Sequence, residues 1–126
     1  MPGQKILIID DNQSLRDALR DGLTSVGFEV IEATDGDEGL AAAYTNKPDL
    51  ILLDIMMPKM NGYQVLKLLR ADAWGKDVKV LLLTSLDDIS NIAQGVELKS
   101  NEYIIKSNES LQSILKKVKQ HLVGYV

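Results

Sequence analysis

Residues 49–57 read Asp49-Leu50-Ile51-Leu52-Leu53-Asp54-Ile55-Met56-Met57. The apolar run Leu50 to Leu53 has strand length and leaves no polar position for a wet face. Such a run fits a strand covered on both sides, as in a parallel sheet flanked by helices. Working outward, further strand-length runs occur at Ile6 to Ile9, Val30 to Ile31, Val78 to Leu83 and Tyr103 to Ile105. Between them lie stretches with helical spacing. The first has Leu15, Ala18, Leu19, Gly22 and Leu23, and the third Val65, Leu66, Leu68 and Leu69. The last has Leu111, Ile114, Leu115, Val118 and Leu122.

The punctuation agrees with this alternation. Asn12 or Ser14 can cap the first helix, with Gly27 just past its end. Asp35-Gly36 turns into the second helix, and Pro48 precedes the third strand. Ser85, Asp87 or Asp88 can cap a fourth helix, and Asn108 or Ser110 a fifth. Five βα units follow, forming an α/β domain with a parallel sheet and right-handed crossovers.

Composition sets the bounds. The chain has 126 residues, 45% hydrophobic and 25% charged, which suits one globular domain. There is no cysteine, which excludes disulfides and thiolate metal sites. The one histidine, His121, excludes any site needing two. A net charge of -4 argues against nucleic acid as a direct partner. The N-terminus reaches Asp10 after too few apolar residues for a signal peptide, and no run approaches the ~20 residues of a membrane span. A soluble, cytoplasmic domain is expected. Residues 1–72 hold 12 acidic against 7 basic side chains, so the acidic excess lies in that part of the chain.

In an open parallel sheet, ligands bind beyond the carboxyl ends of the strands. The first strand delivers Asp10-Asp11 there, the third Asp54, the fourth Thr84-Ser85 and the fifth Lys106. An aspartate after a strand is often just a cap or turn former, and that reading stays open for Asp11. Asp54 differs, because it is a charge inside an apolar stretch and needs a partner or a place at the sheet rim. Three clustered carboxylates raise one another's pKa unless a cation enters. An all-oxygen ligand set favours Mg²⁺ over zinc. A divalent ion and the Lys106 ammonium around one carboxylate would prepare a place for a phosphoryl group, with Asp54 as nucleophile.

With these residues in order, the chain resembles the receiver domain of two-component response regulators over nearly all of residues 1–126. The resemblance is carried by Asp10-Asp11, by the D-x3-P-x3-G pattern of Asp54, Pro58 and Gly62, by Thr84-Ser85, and by Tyr103 three residues before Lys106. It implies a doubly wound, five-stranded, flavodoxin-like (βα)5 fold with strand order 2-1-3-4-5. It implies that Asp54 accepts phosphate from a histidine kinase or a histidine phosphotransfer protein. Asp11, Asp54 and the main-chain carbonyl of Met56 would ligate Mg²⁺, with Asp10 acting largely through a water. Lys106 would contact a phosphoryl oxygen. Thr84 would swing toward the phosphate and Tyr103 would turn inward, altering the surface of the fourth predicted helix, the fifth strand and the fifth predicted helix. A downstream protein would read that surface, and a homodimer could form through it. The domain would be a switch without turnover of an external substrate. Its output would come from contacts of its own surface or from a part absent here.

Two positions depart from the family's pattern. Ser107 stands where proline commonly follows the lysine, so a trans Lys106–Ser107 bond is expected. Lys99-Ser100 stands where a Gly-Ala pair is common, so a left-handed Lys99 would bear a cost of ~1 kcal/mol. Met56 and Leu86 would flank the site as apolar residues, restrict hydrolytic water and prolong the phosphoryl form.

Other readings compete. A Mg²⁺-dependent phosphohydrolase of the haloacid dehalogenase type needs D-x-D-x-[TV], and Asp10-Asp11-Asn12-Gln13 lacks it. A flavin or nucleotide module needs a Gly-, Ser- or Thr-rich cradle after the first strand, where an acidic pair stands instead. Met56, Met57 and Met60 read as packing or loop residues. His121 reads as an unpaired cation late in a helix, and Lys116, Lys117 and Lys119 as a solvated face. Trp74 reads equally as an exposed contact or a lid on the core.

Overall fold

The computed structural model describes residues 4–84, 99–106 and 109–122. Among these the chain alternates strands and helices. The strands are β1 (Lys5–Ile9), β2 (Glu29–Ala33), β3 (Leu50–Asp54), β4 (Lys79–Thr84) and β5 (Glu102–Ile105). The helices are α1 (Gln13–Ser25), α2 (Gly36–Asn46), α3 (Gly62–Ala71) and α4 (Leu111–Gln120). The last is the fifth predicted helix. The fourth predicted helix, with Ser85 and Leu86, falls outside the described residues, as does Ser107 with the expected trans bond.

The five strands form one parallel sheet in the order β2-β1-β3-β4-β5. Alternate side chains feed two cores. Leu7, Ile9, Ile51, Leu53, Val80 and Leu82 pack on one side with residues of α2 and α3. Ile6, Ile8, Leu52, Leu81, Leu83 and Ile104 pack on the other with α1 and α4. Every residue of β3 is buried, as its unbroken apolar run requires. β2 is longer than its two-residue apolar run suggested. It is an edge strand whose Glu29 is exposed, so polar residues interrupt its pattern.

Local chemistry sets the helix ends. The Asn12 side chain accepts from Leu15 N at 3.1 Å and caps α1. The chain leaves α1 through Gly27 at φ 101°, and Phe28 N donates back to Leu23 O at 3.1 Å. Asp35 and Ser110 cap α2 and α4. Asn61 and Gln64 close a reciprocal capping box at the start of α3. Two predicted apolar-face residues point elsewhere. Leu68 on α3 is 46% exposed, one step off the buried stripe of Val65, Leu66 and Leu69, and Ala18 on α1 is also exposed. Gly22 lets α4 approach closely, since a Cβ there would lie 3.2 Å from a Leu115 methyl.

Candidate functional site

The carboxyl ends of β1, β3, β4 and β5 bring Asp10, Asp54, Thr84 and Lys106 to one edge of the sheet. Asp10 is fully buried. Its main chain is held on both sides, Asp10 N donating to Ala33 O at 3.1 Å and Arg16 Nη1 donating to Asp10 O at 2.7 Å. Asp10 Oδ1 accepts from Asn12 N at 2.8 Å. Asp54 is 2% exposed, and its Oδ1 accepts from Met56 N at 3.2 Å. Lys106 Nζ bridges the two acids, 3.0 Å from Asp10 Oδ2 and 3.1 Å from Asp54 Oδ1. Asp11 stands exposed at the mouth. Thr84 is buried at the end of β4, and its carbonyl accepts from Lys106 N at 2.8 Å.

The electrostatics follow from this packing. Burial, then the neighbouring Asp10 charge, push the Asp54 carboxyl up to about 7, against the opposing pull of Lys106 and Met56 N. Burial works against the Lys106 ammonium, but Asp10 and Asp54 outweigh it and hold its pKa above the usual lysine value. The result is a buried acid with a high cost of ionisation, next to a cation that is firmly charged.

The donor set fits a hard divalent cation. Asp10, Asp11 and Asp54 each offer an oxygen, all within 4.8 Å of one another. The buried Asp10 Oδ2 has an ion-pair neighbour in Lys106 but no hydrogen bond, so a lone pair there is unused. Oxygen ligands of this kind suit Mg²⁺. The Met56 main chain lies at the Asp54 carboxylate, through its N–H.

The loop after Asp54 folds back on itself. Gly62 N donates to Ile55 O at 2.9 Å, and a Cβ on Gly62 would sit 2.5 Å from Asp54 O. The closing glycine of D-x3-P-x3-G is thus required by backbone approach. Lys59 in this loop adopts φ 68°. Met56 is 59% exposed at the rim, while Met57 is buried in the core, as the packing reading expected.

Tyr103 lies opposite Leu82 on β4, and its ring packs against the α2–α3 core. Its hydroxyl is 2.8 Å from the hydroxyl of Tyr63 on α3. Sequence reasoning missed Tyr63, although it directly follows the quoted Gly62. It also missed Arg16, whose Nε pairs with Glu32 at 3.4 Å across α1 and β2. No sequence signal marks it, because its hydrogen bond goes to the Asp10 main-chain carbonyl.

Four other readings are corrected or settled. His121 is paired, its Nε2 lying 2.8 Å from Glu102 Oε1. Lys117 leaves the solvated face, because its ammonium reaches Glu102 at 2.5 Å and Glu109 at 3.1 Å. Two of these three contacts go to the strand residue Glu102, which helix periodicity does not reveal. Trp74 is half-buried against the core, edge-on to Tyr44 at 6.5 Å with Lys47 Nζ 5.7 Å from its ring centre. Lys99 has φ 59°, the left-handed geometry anticipated, and Arg70 Nη2 donates to its carbonyl at 2.8 Å.

Fold and strand-end acids together define a switch module rather than a nucleotide cradle, and the comparisons agree. The response regulator receiver domain pattern matches residues 6–119, and the chain belongs to that family. It is a phosphorylation-dependent signalling domain of the two-component type. Among curated relatives it is 42% identical over 106 residues to a probable transcriptional regulator, ycf27, of Porphyridium aerugineum, covering 84% of this chain and 43% of the relative. It is 40% identical over 102 residues to the DNA-binding dual master transcriptional regulator RpaA of Synechocystis, covering 81% and 42%. The chain therefore spans less than half the length of these relatives. Among solved structures it is similar to the chemotaxis protein CheY4 of Vibrio cholerae, with a TM-score of 0.88 and 29% identity over 95% of this chain and 99% of that one. A CheY-like receiver domain protein from Methanospirillum hungatei gives a TM-score of 0.86 and 27% identity over 94% and 92%. Receiver domains of this family interact with histidine kinases. Among the described residues, no helix is long and apolar enough to cross a membrane.

Proposed function

We propose that residues 1–126 work as one receiver unit in which Asp54 is the phosphoacceptor. The observation that carries this is the buried carboxylate of Asp54 at the end of β3, held by Met56 N and Lys106 Nζ. The Asp54 oxygen attacks phosphorus in a phosphohistidine. The P–N bond breaks, the imidazole leaves with the electron pair and takes a proton, and an acyl phosphate forms on Asp54. Asp10, Asp11 and Asp54 would hold Mg²⁺ together with the Met56 carbonyl. When bound, the ion neutralises charge on the carboxylates and the phosphoryl oxygens.

Lys106 now serves as the counter-charge between Asp10 and Asp54. In the phosphorylated form its ammonium transfers to a phosphoryl oxygen, close to where it already stands. Thr84 and Tyr103 then carry the change to β5 and the adjoining helices, where a downstream protein binds. The donor is a histidine kinase or a histidine phosphotransfer protein, in the cytoplasm. The acidic domain makes no direct nucleic-acid contact. In a longer protein of the kind its relatives represent, it would be the regulated part.

Incubation with Mg²⁺ and acetyl phosphate, with free phosphate measured over time, tests this reading. The expected result is stoichiometric uptake followed by slow release. Many turnovers per minute of an external phosphoester would favour a phosphohydrolase instead.

A further inference from the structure

Tyr63 is placed by the same backbone that places the phosphoacceptor. Its neighbour Gly62 donates to Ile55 O at 2.9 Å and packs so tightly on the Asp54 carbonyl that a Cβ would come within 2.5 Å. The Tyr63 side chain is 4% exposed, so its phenol cannot turn out to water without leaving the core. Its hydroxyl meets that of Tyr103, 40 residues along the chain and on β5. Tyr103 is only partly buried and sits three residues before Lys106. One phenol is therefore a fixed post attached to the Asp54 loop, and the other is a partly buried side chain on the sheet's edge strand β5.

A buried hydroxyl that loses a partner is costly, whereas one that turns into water is not. If Tyr103 swung outward, its own hydroxyl would be solvated but the Tyr63 hydroxyl would lose this bond in a dry place. The cost falls on the outward position. We propose that Tyr63 is a positioning residue for the switch: its hydroxyl holds Tyr103 against the core and biases β5 toward the arrangement that phosphorylation of Asp54 selects. This adds a direct link from the phosphoacceptor loop to β5, alongside the route through Thr84, and it rests on Asp54 being the phosphoacceptor. The free protein then already populates the inward state, and phosphorylation has less work to do. Without the Tyr63 hydroxyl, the competent fraction falls and apparent affinity for a phosphoryl analogue falls with it.

The test is a double-substitution cycle on the 126-residue chain, with beryllofluoride and Mg²⁺ as the phosphoryl analogue. Tyrosine labelled with ¹³C at Cζ gives one signal for each of the four tyrosines, assigned by single Tyr→Phe changes. The ¹⁹F signal of bound beryllofluoride reports site occupancy independently. In Tyr63→Phe, the Tyr103 signal of the free protein should move toward its solvent-exposed value and return on saturation with beryllofluoride. Apparent affinity should weaken about two- to tenfold, the worth of one hydrogen bond. In a Tyr103→Phe background, Tyr63→Phe should leave that affinity unchanged. A Tyr103 signal that ignores Tyr63→Phe, or an equal affinity loss in both backgrounds, would overturn the proposal. Absence of bound beryllofluoride in the wild type would instead remove the phosphoacceptor reading itself, and this proposal with it.

Discussion

Replacing Asp54 by asparagine should make the metal-free protein more stable. The Asp54 carboxyl is raised from 3.8 to about 7, first by burial and then by Asp10. At about 1.4 kcal/mol per pH unit, keeping it ionised in the fold costs on the order of 4 kcal/mol. Asparagine removes the charge but keeps an oxygen for Met56 N. The pull of Lys106 is already contained in that raised value, but the new amide N–H groups need partners in the buried site, which returns part of the gain. A net stabilisation of about 1–3 kcal/mol is expected at pH 8, seen as a Tm higher by about 3–10 °C for a domain of this size. The sign with pH follows from proton counts. Between pH 4 and 7 the folded state holds a proton on Asp54 that the unfolded chain has lost, so this group's contribution to stability falls as pH rises through that window. The gap between Asp54→Asn and wild type should therefore narrow by more than half at pH 5. Saturating Mg²⁺ should raise the Tm of the wild type at pH 8 and leave Asp54→Asn nearly unmoved. Chemical denaturation and differential scanning calorimetry at pH 5 and 8, with EDTA or Mg²⁺, read all four arms. Equal stabilities at pH 8 in EDTA, or a gap that widens on acidification, would refute the reasoning.

Gly62→Ala should destabilise the domain by about 2–4 kcal/mol, because the new methyl meets the Asp54 carbonyl at 2.5 Å, and urea titration measures it. Lys59→Gly should be neutral to stabilising by up to about 1 kcal/mol, since φ 68° suits glycine; a clear loss of stability would show that the Lys59 side chain contributes more than its backbone costs. Glu102 lies below the usual carboxylate range, because Lys117 and His121 more than offset its partial burial. It contributes stability above the ordinary pKa of 4.5 that is lost on acidification, so Glu102→Gln should flatten the acid limb of a Tm-against-pH curve and cost less than about 1 kcal/mol at pH 7. The exposed Met56 offers water no polar anchor, so the phosphoryl form should outlast a few seconds, and Met56→Asn should shorten its lifetime in a phosphate-release assay.

Much of this architecture was legible because a parallel sheet writes itself plainly. Leu50 to Leu53 and Val80 to Leu83 are buried on both faces, so their apolar runs are unbroken. The acids and Lys106 stood at strand ends, where an α/β sheet opens, and each falls at the site. Edges and cross-chain bonds were less legible. β2 looked like two residues because its outer positions carry glutamates. His121 and Lys117 looked free because their partner, Glu102, is on a strand 15 to 19 residues away. Tyr63 carries no spacing signal of its own, and only the fold brings its hydroxyl to Tyr103. Arg16 was similar, since its target is a main-chain carbonyl that carries no signature in sequence.

The most direct test of the account is the identity of the phosphorylated atom. The protein is incubated with Mg²⁺ and a phosphohistidine donor, reduced with borohydride to convert an aspartyl phosphate to homoserine, digested and mapped by mass spectrometry. The account predicts homoserine at position 54 in the wild type, its loss in EDTA, and no modified peptide in Asp54→Asn. Homoserine at position 10 or 11 instead, or full modification of the Asp54→Asn protein, would contradict it.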